Sequence, residues 1–209
     1  MTRPVFYSFR RCPYAMRARL ALASAGVEVE LREVVLRDKA PEFLEASASA
    51  TVPTLVYDAL NIDESLDIMI WALEGNDPEG WLDMPEAGHD LIAEADGPFK
   101  TALDRYKYSS RYQDVDGTAE RATGMAFISR LGASLAGNDF LFGDRPTLAD
   151  MAILPFVRQF AHVDLAWFQE NAPESVVSWL ERFKSSHQFL SIMAKYPRWQ
   201  AGDAVTVFP

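Results

Sequence analysis

One cysteine, Cys12, occurs in 209 residues, which excludes an intramolecular disulfide and leaves a single thiol for any cysteine chemistry. Basic charge is scarce too: 20 Lys and Arg stand against 30 Asp and Glu, for a net charge of −10. Nucleic acids and anionic membrane surfaces are bound through clustered Lys and Arg, and only Arg10, Arg11, Arg17 and Arg19 approach a cluster. Neither is expected as a partner. Long apolar runs are also missing. A spanning helix needs about 20 apolar residues, whereas the run after those arginines, Leu20 to Ala25, is short and includes Ser24. The chain therefore reads as having no secretory leader and no membrane span, and as cytoplasmic, where a lone reduced cysteine is at home. His89, His162 and His187 lie far apart with no cysteine partner, so no metal site is expected. There is no glycine-rich phosphate loop and no Gly-x-Ser-x-Gly, which removes the usual signatures of nucleotide binding and serine hydrolysis.

What is present is an ordinary globular composition, 49% hydrophobic and 24% charged, enough for a core without staples. The first 75 residues alternate strand and helix signals. An apolar run, Val5 to Phe9, leads to a helix-like run, Met16 to Ala25, closed by Gly26 as a C-cap. Val27, Val29 and Leu31 then alternate with Glu28, Glu30 and Arg32, a half-buried strand. A short helix around Pro41 to Ala46, a strand from Val52 to Tyr57, a turn at Asp58 to Asn61, a short strand at Ile62 and Asp63, and a helix from Ser65 to Glu74 complete this part. Residues 76–88, rich in Pro, Gly and acidic side chains, read as a linker. Beyond it strand signals disappear. Helices are predicted over about His89–Arg111 and Thr118–Ala136, and again between Glu174 and Met193. Before them, Thr147 with Asp150 three residues on makes a variant capping box, and Pro155 should kink the helix that it opens. The expected division is 1–75 as an α/β domain, 76–88 as linker and 89–209 as an all-helical domain.

Cys12 sits where the first strand hands over to the first helix. Pro13 suits the first helical position, because its missing N–H is one of the donors left free there. Cys12 then caps the positive end of the helix dipole, which favours thiolate over thiol and lowers the pKa from about 8.5 into a range of roughly 3.5 to 7.5. A buried cysteine acting as a small hydrophobe is the bland alternative. Position 15 is as informative. In a Cys-x-x-Cys pair the second thiol resolves a mixed disulfide, and here it is Ala15, so a second thiol molecule must do so.

Four landmarks in this order, Cys12-Pro13-Tyr14-Ala15, Thr51-Val52-Pro53-Thr54-Leu55, Asp63-Glu64-Ser65 and Pro146-Thr147-Leu148-Ala149-Asp150, make the chain similar to the glutathione transferase family, in particular its cysteine-type, omega-like branch. The resemblance implies a thioredoxin-like N-terminal domain followed by an all-helical C-terminal domain. It also implies glutathione as co-substrate without a metal, and a homodimer. Cys12 would be the catalytic residue and Tyr14, Lys39, Val52, Pro53, Glu64 and Ser65 the glutathione-binding ones. Val52-Pro53, cis in the family, would expose backbone for the cysteinyl part as an added strand. The start of the helix at Glu64-Ser65 would take the γ-glutamyl end, its carboxylate on Ser65 and its ammonium near Glu64, although Ser65 as a plain N-cap fits as well. Lys39 would meet the glycyl carboxylate, with Arg37 or a solvated Lys39 as alternatives. Tyr7 and Ser8 lie where the tyrosine and serine donors of other transferases would be sought, and the strand pattern makes Tyr7 a core or interface residue rather than a catalyst.

The expected activity is thiol transfer or deglutathionylation through a Cys12-glutathione mixed disulfide, with a small electrophile or a glutathionylated molecule as second substrate. Conjugation of glutathione to electrophiles is the alternative within the family. A binding or regulatory module, of the kind its chloride-channel-like and stringent-starvation-like members illustrate, is the alternative outside catalysis, and a maintenance role in stress resistance a third.

Overall fold

In the computed structural model, which describes residues 3–209, contacts divide the chain into Met1–Glu79 with Ser186–Pro209, and Gly80–Ser185. In the first unit Val5–Ser8 forms β1, Pro13–Ala25 α1, Val29–Glu33 β2, Pro41–Ala46 α2, Thr54–Tyr57 β3, Leu60–Ile62 β4 and Ser65–Gly75 α3. β1 lies parallel to β2, with Tyr7 opposite Arg32, and antiparallel to β3, which pairs with β4. The parallel pair requires a crossover, and α1 supplies it. Phe6, Leu20, Leu31, Leu55 and Ile68 are buried between sheet and helices.

Helix α1 starts three residues before the apolar pattern does, because Pro13 occupies a position that needs no N–H. It ends at Gly26, whose φ of 67° is left-handed, and the N–H groups of Gly26 and Val27 close onto the carbonyls of Ala23 (3.3 Å) and Leu22 (3.0 Å). The turn predicted at Asp58–Asn61 is tighter than expected. Asp58 takes a left-handed φ of 52°, a conformation that Asp tolerates better than most residues, so the chain reverses and β4 already begins at Leu60.

Gly80–Ser185 holds α4 (Glu86–Glu94), α5 (Lys100–Lys107), α6 (Gly117–Ser134), α7 (Leu148–Ala161), α8 (Leu165–Asn171) and α9 (Glu174–Ser185). The one helix predicted over His89–Arg111 is interrupted by a π-helical turn at Ala95–Phe99 and ends in a 3-10 turn at Ser109–Arg111. Pro98 lies in the π turn. Its ring crowds the carbonyl four residues back and it has no N–H to give, and a wider turn accommodates both facts. Pro155 sits inside α7 without ending it. Phe99 stacks on Phe127 with centroids 4.5 Å apart and packs against Phe160, and burial of each such side chain contributes about 1.5–3 kcal/mol. Asp150 is fully buried and accepts from Thr147 N and Oγ1, each at 2.9 Å, from Leu141 N at 3.0 Å and from Trp179 Nε1 at 3.1 Å.

The stretch 186–209, expected within the helical domain, groups instead with the unit that holds the sheet. α10 (His187–Ile192) lies against α1. Trp199 donates its N–H to the Glu33 carbonyl (3.0 Å) and sets its ring edge-on to Tyr7. A fifth strand, β5 (Val207–Phe208), pairs antiparallel with β2 and gives the order β4-β3-β1-β2-β5. No helix among the described residues is long and apolar enough to cross a membrane.

Candidate active site

Strand β1 ends in a turn, Phe9–Cys12, closed by the Cys12 N–H bonding the Phe9 carbonyl at 2.9 Å. Cys12 is the N-cap of α1, in extended conformation, and its side chain makes no capping bond. The sulfur is thus set at the positive end of the helix dipole. It is partly buried and lies 3.7 Å from the Val52 carbonyl oxygen. The Val52-Pro53 peptide is cis and stands immediately before β3. Across from it α3 begins: Glu64 occupies the N-cap position without a side-chain capping bond, and Ser65 is the first helical residue rather than the cap. Because α1 and α3 pack side by side, two helix N-termini open onto the same space.

That space is a cavity of about 500 Å³. Cys12, Tyr14, Lys39, Val52, Pro53, Glu64 and Ser65 all line it, together with Leu36, Ala50, Thr51 and Asp63. Seven residues named from four separate stretches of sequence are therefore brought to one place. The last four were not named as site residues. Asp63 has a bracing geometry: it accepts from Thr54 Oγ1 at 2.8 Å and from Ser49 N at 3.3 Å, tying the loop before β3 to the start of α3. Its position next to Glu64 was the one signal that could have found it. A second unforeseen group is Arg17, buried in α1, whose Nη1 is 3.5 Å from Ser65 Oγ. Tyr7 and Ser8 point elsewhere. Tyr7 OH accepts from Arg32 Nη1 at 2.7 Å, and burial raises its phenol above the ordinary value against the pull of Arg32. Ser8 Oγ accepts from Arg19 Nε at 2.8 Å. Among the described residues no three His, Cys, Asp or Glu side chains gather as a metal site would require.

The glutathione S-transferase N-terminal domain family matches residues 6–80, and the glutathione S-transferase C-terminal domain family matches residues 117–201. The chain belongs to the glutathione S-transferase family. This transferase is 27% identical over 164 residues to the probable glutathione S-transferase parA of Nicotiana tabacum, a match spanning 75% of this chain and 72% of that one. Among solved structures it is similar to glutathione transferase Omega 3C from Trametes versicolor, with a TM-score of 0.78 at 18% identity over 95% of this chain and 92% of that one. It is also similar to a glutathione transferase family member from Pseudomonas fluorescens pf-5 with two glutathione bound, at a TM-score of 0.77 and 18% identity over 91% and 92%. These likenesses show the fold, a thioredoxin-like N-terminal domain and a helical C-terminal domain. In this transferase the cavity beside Cys12 belongs entirely to the first of the two compact units.

Proposed function

We propose that this transferase is of the cysteine type and moves thiols through a Cys12-glutathione mixed disulfide. The observation that carries the reading is the place of the sulfur: at the N-terminus of α1, on the cavity wall, 3.7 Å from the Val52 carbonyl. Glutathione is extended across the cavity. Its cysteinyl part pairs with the Val52 backbone as an added strand, which brings its sulfur beside Cys12. Its γ-glutamyl carboxylate rests on the first turn of α3 and Ser65, with Glu64 near the ammonium, and its glycyl carboxylate meets Lys39.

The chemistry runs in two exchanges. The Cys12 thiolate attacks the glutathionyl sulfur of a substrate disulfide; a Cys12–glutathione S–S bond forms, the substrate–glutathione S–S bond breaks, and the substrate leaves as a thiolate that takes up a proton. Ala15 offers no second thiol. A free glutathione thiolate therefore attacks the glutathionyl sulfur of the mixed disulfide, glutathione disulfide departs, and the Cys12 thiolate is regenerated. Conjugation to an electrophile is the second reading, favoured by the name of the tobacco relative. The protein assembles as a homodimer in the cytoplasm.

Two measurements test the reading. Incubation with glutathione disulfide is expected to add one glutathionyl group per chain by intact mass, removable by reductant, and an unmodified mass would sink the mechanism. Turnover of a glutathionylated peptide, coupled to glutathione reductase, is expected to exceed conjugation of a chloronitrobenzene, and the reverse order would favour the second reading. The binding mode has its own test. A charge-assisted contact to a carboxylate is worth about 1.5–3 kcal/mol, so Lys39→Ala is expected to raise KM for glutathione tenfold or more with kcat unchanged, the pattern of lost uniform binding. An unaltered KM would move the glycyl carboxylate off Lys39.

A further inference from the structure

The turn that carries Cys12 is fastened from behind. Glu33, the last residue of β2, accepts on Oε1 from the Arg10 N–H at 2.7 Å and on Oε2 from Arg19 Nη2. Arg10 is the second residue of the Phe9–Cys12 turn, whose closing bond is made by Cys12 itself. Arg19 is fully buried in α1, and its other nitrogens are committed as well: Nε to Ser8 Oγ and Nη1 to the Ile192 carbonyl at 3.0 Å. Burial pulls the guanidinium pKa down and Glu33 opposes that pull. Nearly all of the Glu33 side chain is buried, with 11% exposed.

A buried ion pair of this kind is poor insurance for stability, since apolar side chains of similar volume often hold a core as well. What apolar side chains do not offer is an acceptor for the Arg10 N–H. Left without one, a part-buried donor must turn toward water, and the turn that carries it moves too.

We propose that Glu33 is a positioning residue for Cys12: its carboxylate holds the Phe9–Cys12 turn so that the sulfur stays at the N-terminus of α1, and Arg19 keeps that carboxylate aimed at the turn. The inference rests on the reading of Cys12 as nucleophile, so the decisive readout is chosen to need no turnover. Two double variants separate positioning from stability. Arg19→Met/Glu33→Gln and Arg19→Met/Glu33→Met both remove the buried charges, but only the first keeps a carbonyl acceptor for Arg10. Alkylation of Cys12 by iodoacetamide, followed against pH, reports the reactivity of the thiol directly.

The glutamine variant is expected to keep the native alkylation profile. The methionine variant is expected to titrate about one pH unit higher, and to lose about tenfold in kcat with KM for glutathione little changed. A folded methionine variant with the native profile would overturn the proposal. If neither double variant folds, amide exchange in the unsubstituted protein decides: the Arg10 N–H is expected to be protected on the order of a hundredfold, and unprotected exchange would overturn the proposal equally. Should alkylation shift as expected while Cys12→Ala keeps thiol-transfer turnover, the reading of the reaction fails and the positioning role stands.

Discussion

Replacing Cys12 with alanine is expected to lower reduction of a glutathionylated peptide by about a thousandfold or more, the scale on which a covalent nucleophile's removal is felt. Glutathione itself should still bind. Its proposed contacts are the Val52 backbone, the first turn of α3 with Ser65 and Glu64, and Lys39, none of which involves the sulfur of Cys12. Affinity is therefore expected to change by less than about threefold, far below the loss in turnover. Cys12→Ser is the informative companion. A serine hydroxyl is not ionised near neutral pH and cannot attack a disulfide, yet at the N-terminus of α1 it can donate a hydrogen bond to the thiolate of bound glutathione. Thiol transfer should vanish in this variant while conjugation to a chloronitrobenzene persists or rises. Residual peptide reduction in Cys12→Ala near the native rate would mean that glutathione alone carries the exchange, and the cysteine-type mechanism would fall. Steady-state kinetics on both substrates, with glutathione binding by calorimetry, distinguish the outcomes.

Local chemistry explains which parts of this site could be read from the chain alone. Cys12 and Pro13 announce a strand-to-helix junction because capping and proline geometry act over two or three residues, and α1 does begin at Pro13 with Cys12 as its N-cap. Val52-Pro53 and Glu64-Ser65 were legible for the same reason, each marking the start of an element, and the cavity gathers them with Cys12. Partners that act across the fold were not legible. Glu33 and Arg10 are 23 residues apart, and nothing in the alternating pattern of β2 distinguishes a carboxylate that faces water from one that grips a turn. Arg17 and Arg19 appeared only as basic residues near the start, yet both are buried, since long-range acceptors such as Ser65 Oγ and the Ile192 carbonyl meet them there. β5 has two residues, too few for a period. Its place at the sheet edge comes from the pairing of Val207 with Glu30 and Phe208 with Val29, a contact that folding brings about and spacing does not encode. The π turn around Pro98 was missed because a helical pattern on both sides of a proline looks continuous from periodicity alone.

Asp150→Ala is expected to be the most destabilising single change among those considered in the helical unit, Gly80–Ser185. The native carboxylate satisfies four donors at once: the N–H groups of Leu141 and Thr147, the Thr147 hydroxyl and the Trp179 indole. Alanine accepts from none of them. A buried donor left unpaired costs about 1–3 kcal/mol, and with relaxation of the Thr147 hydroxyl the loss comes to about 3–6 kcal/mol at neutral pH. That is a large part of the roughly 5–15 kcal/mol that holds a domain together. Asp150→Asn keeps one acceptor oxygen and turns an NH₂ toward the Thr147 donors, so its loss should fall between those of the native and alanine forms. The pH dependence has a definite sign. Burial pushes the Asp150 carboxyl above its ordinary value, against the hydrogen bonds from Leu141, Thr147 and Trp179, so the folded state holds this proton more tightly than the unfolded one. The stability contributed through that difference is fully present below the ordinary carboxyl range and is lost as pH rises through the elevated folded value. The gap between the native protein and Asp150→Ala should accordingly be wider in mild acid than at neutral pH. Urea unfolding of both proteins at two pH values measures it; a gap under about 1 kcal/mol, or one that widens toward neutral pH, would show that the buried carboxylate neither anchors α7 nor titrates as its surroundings require.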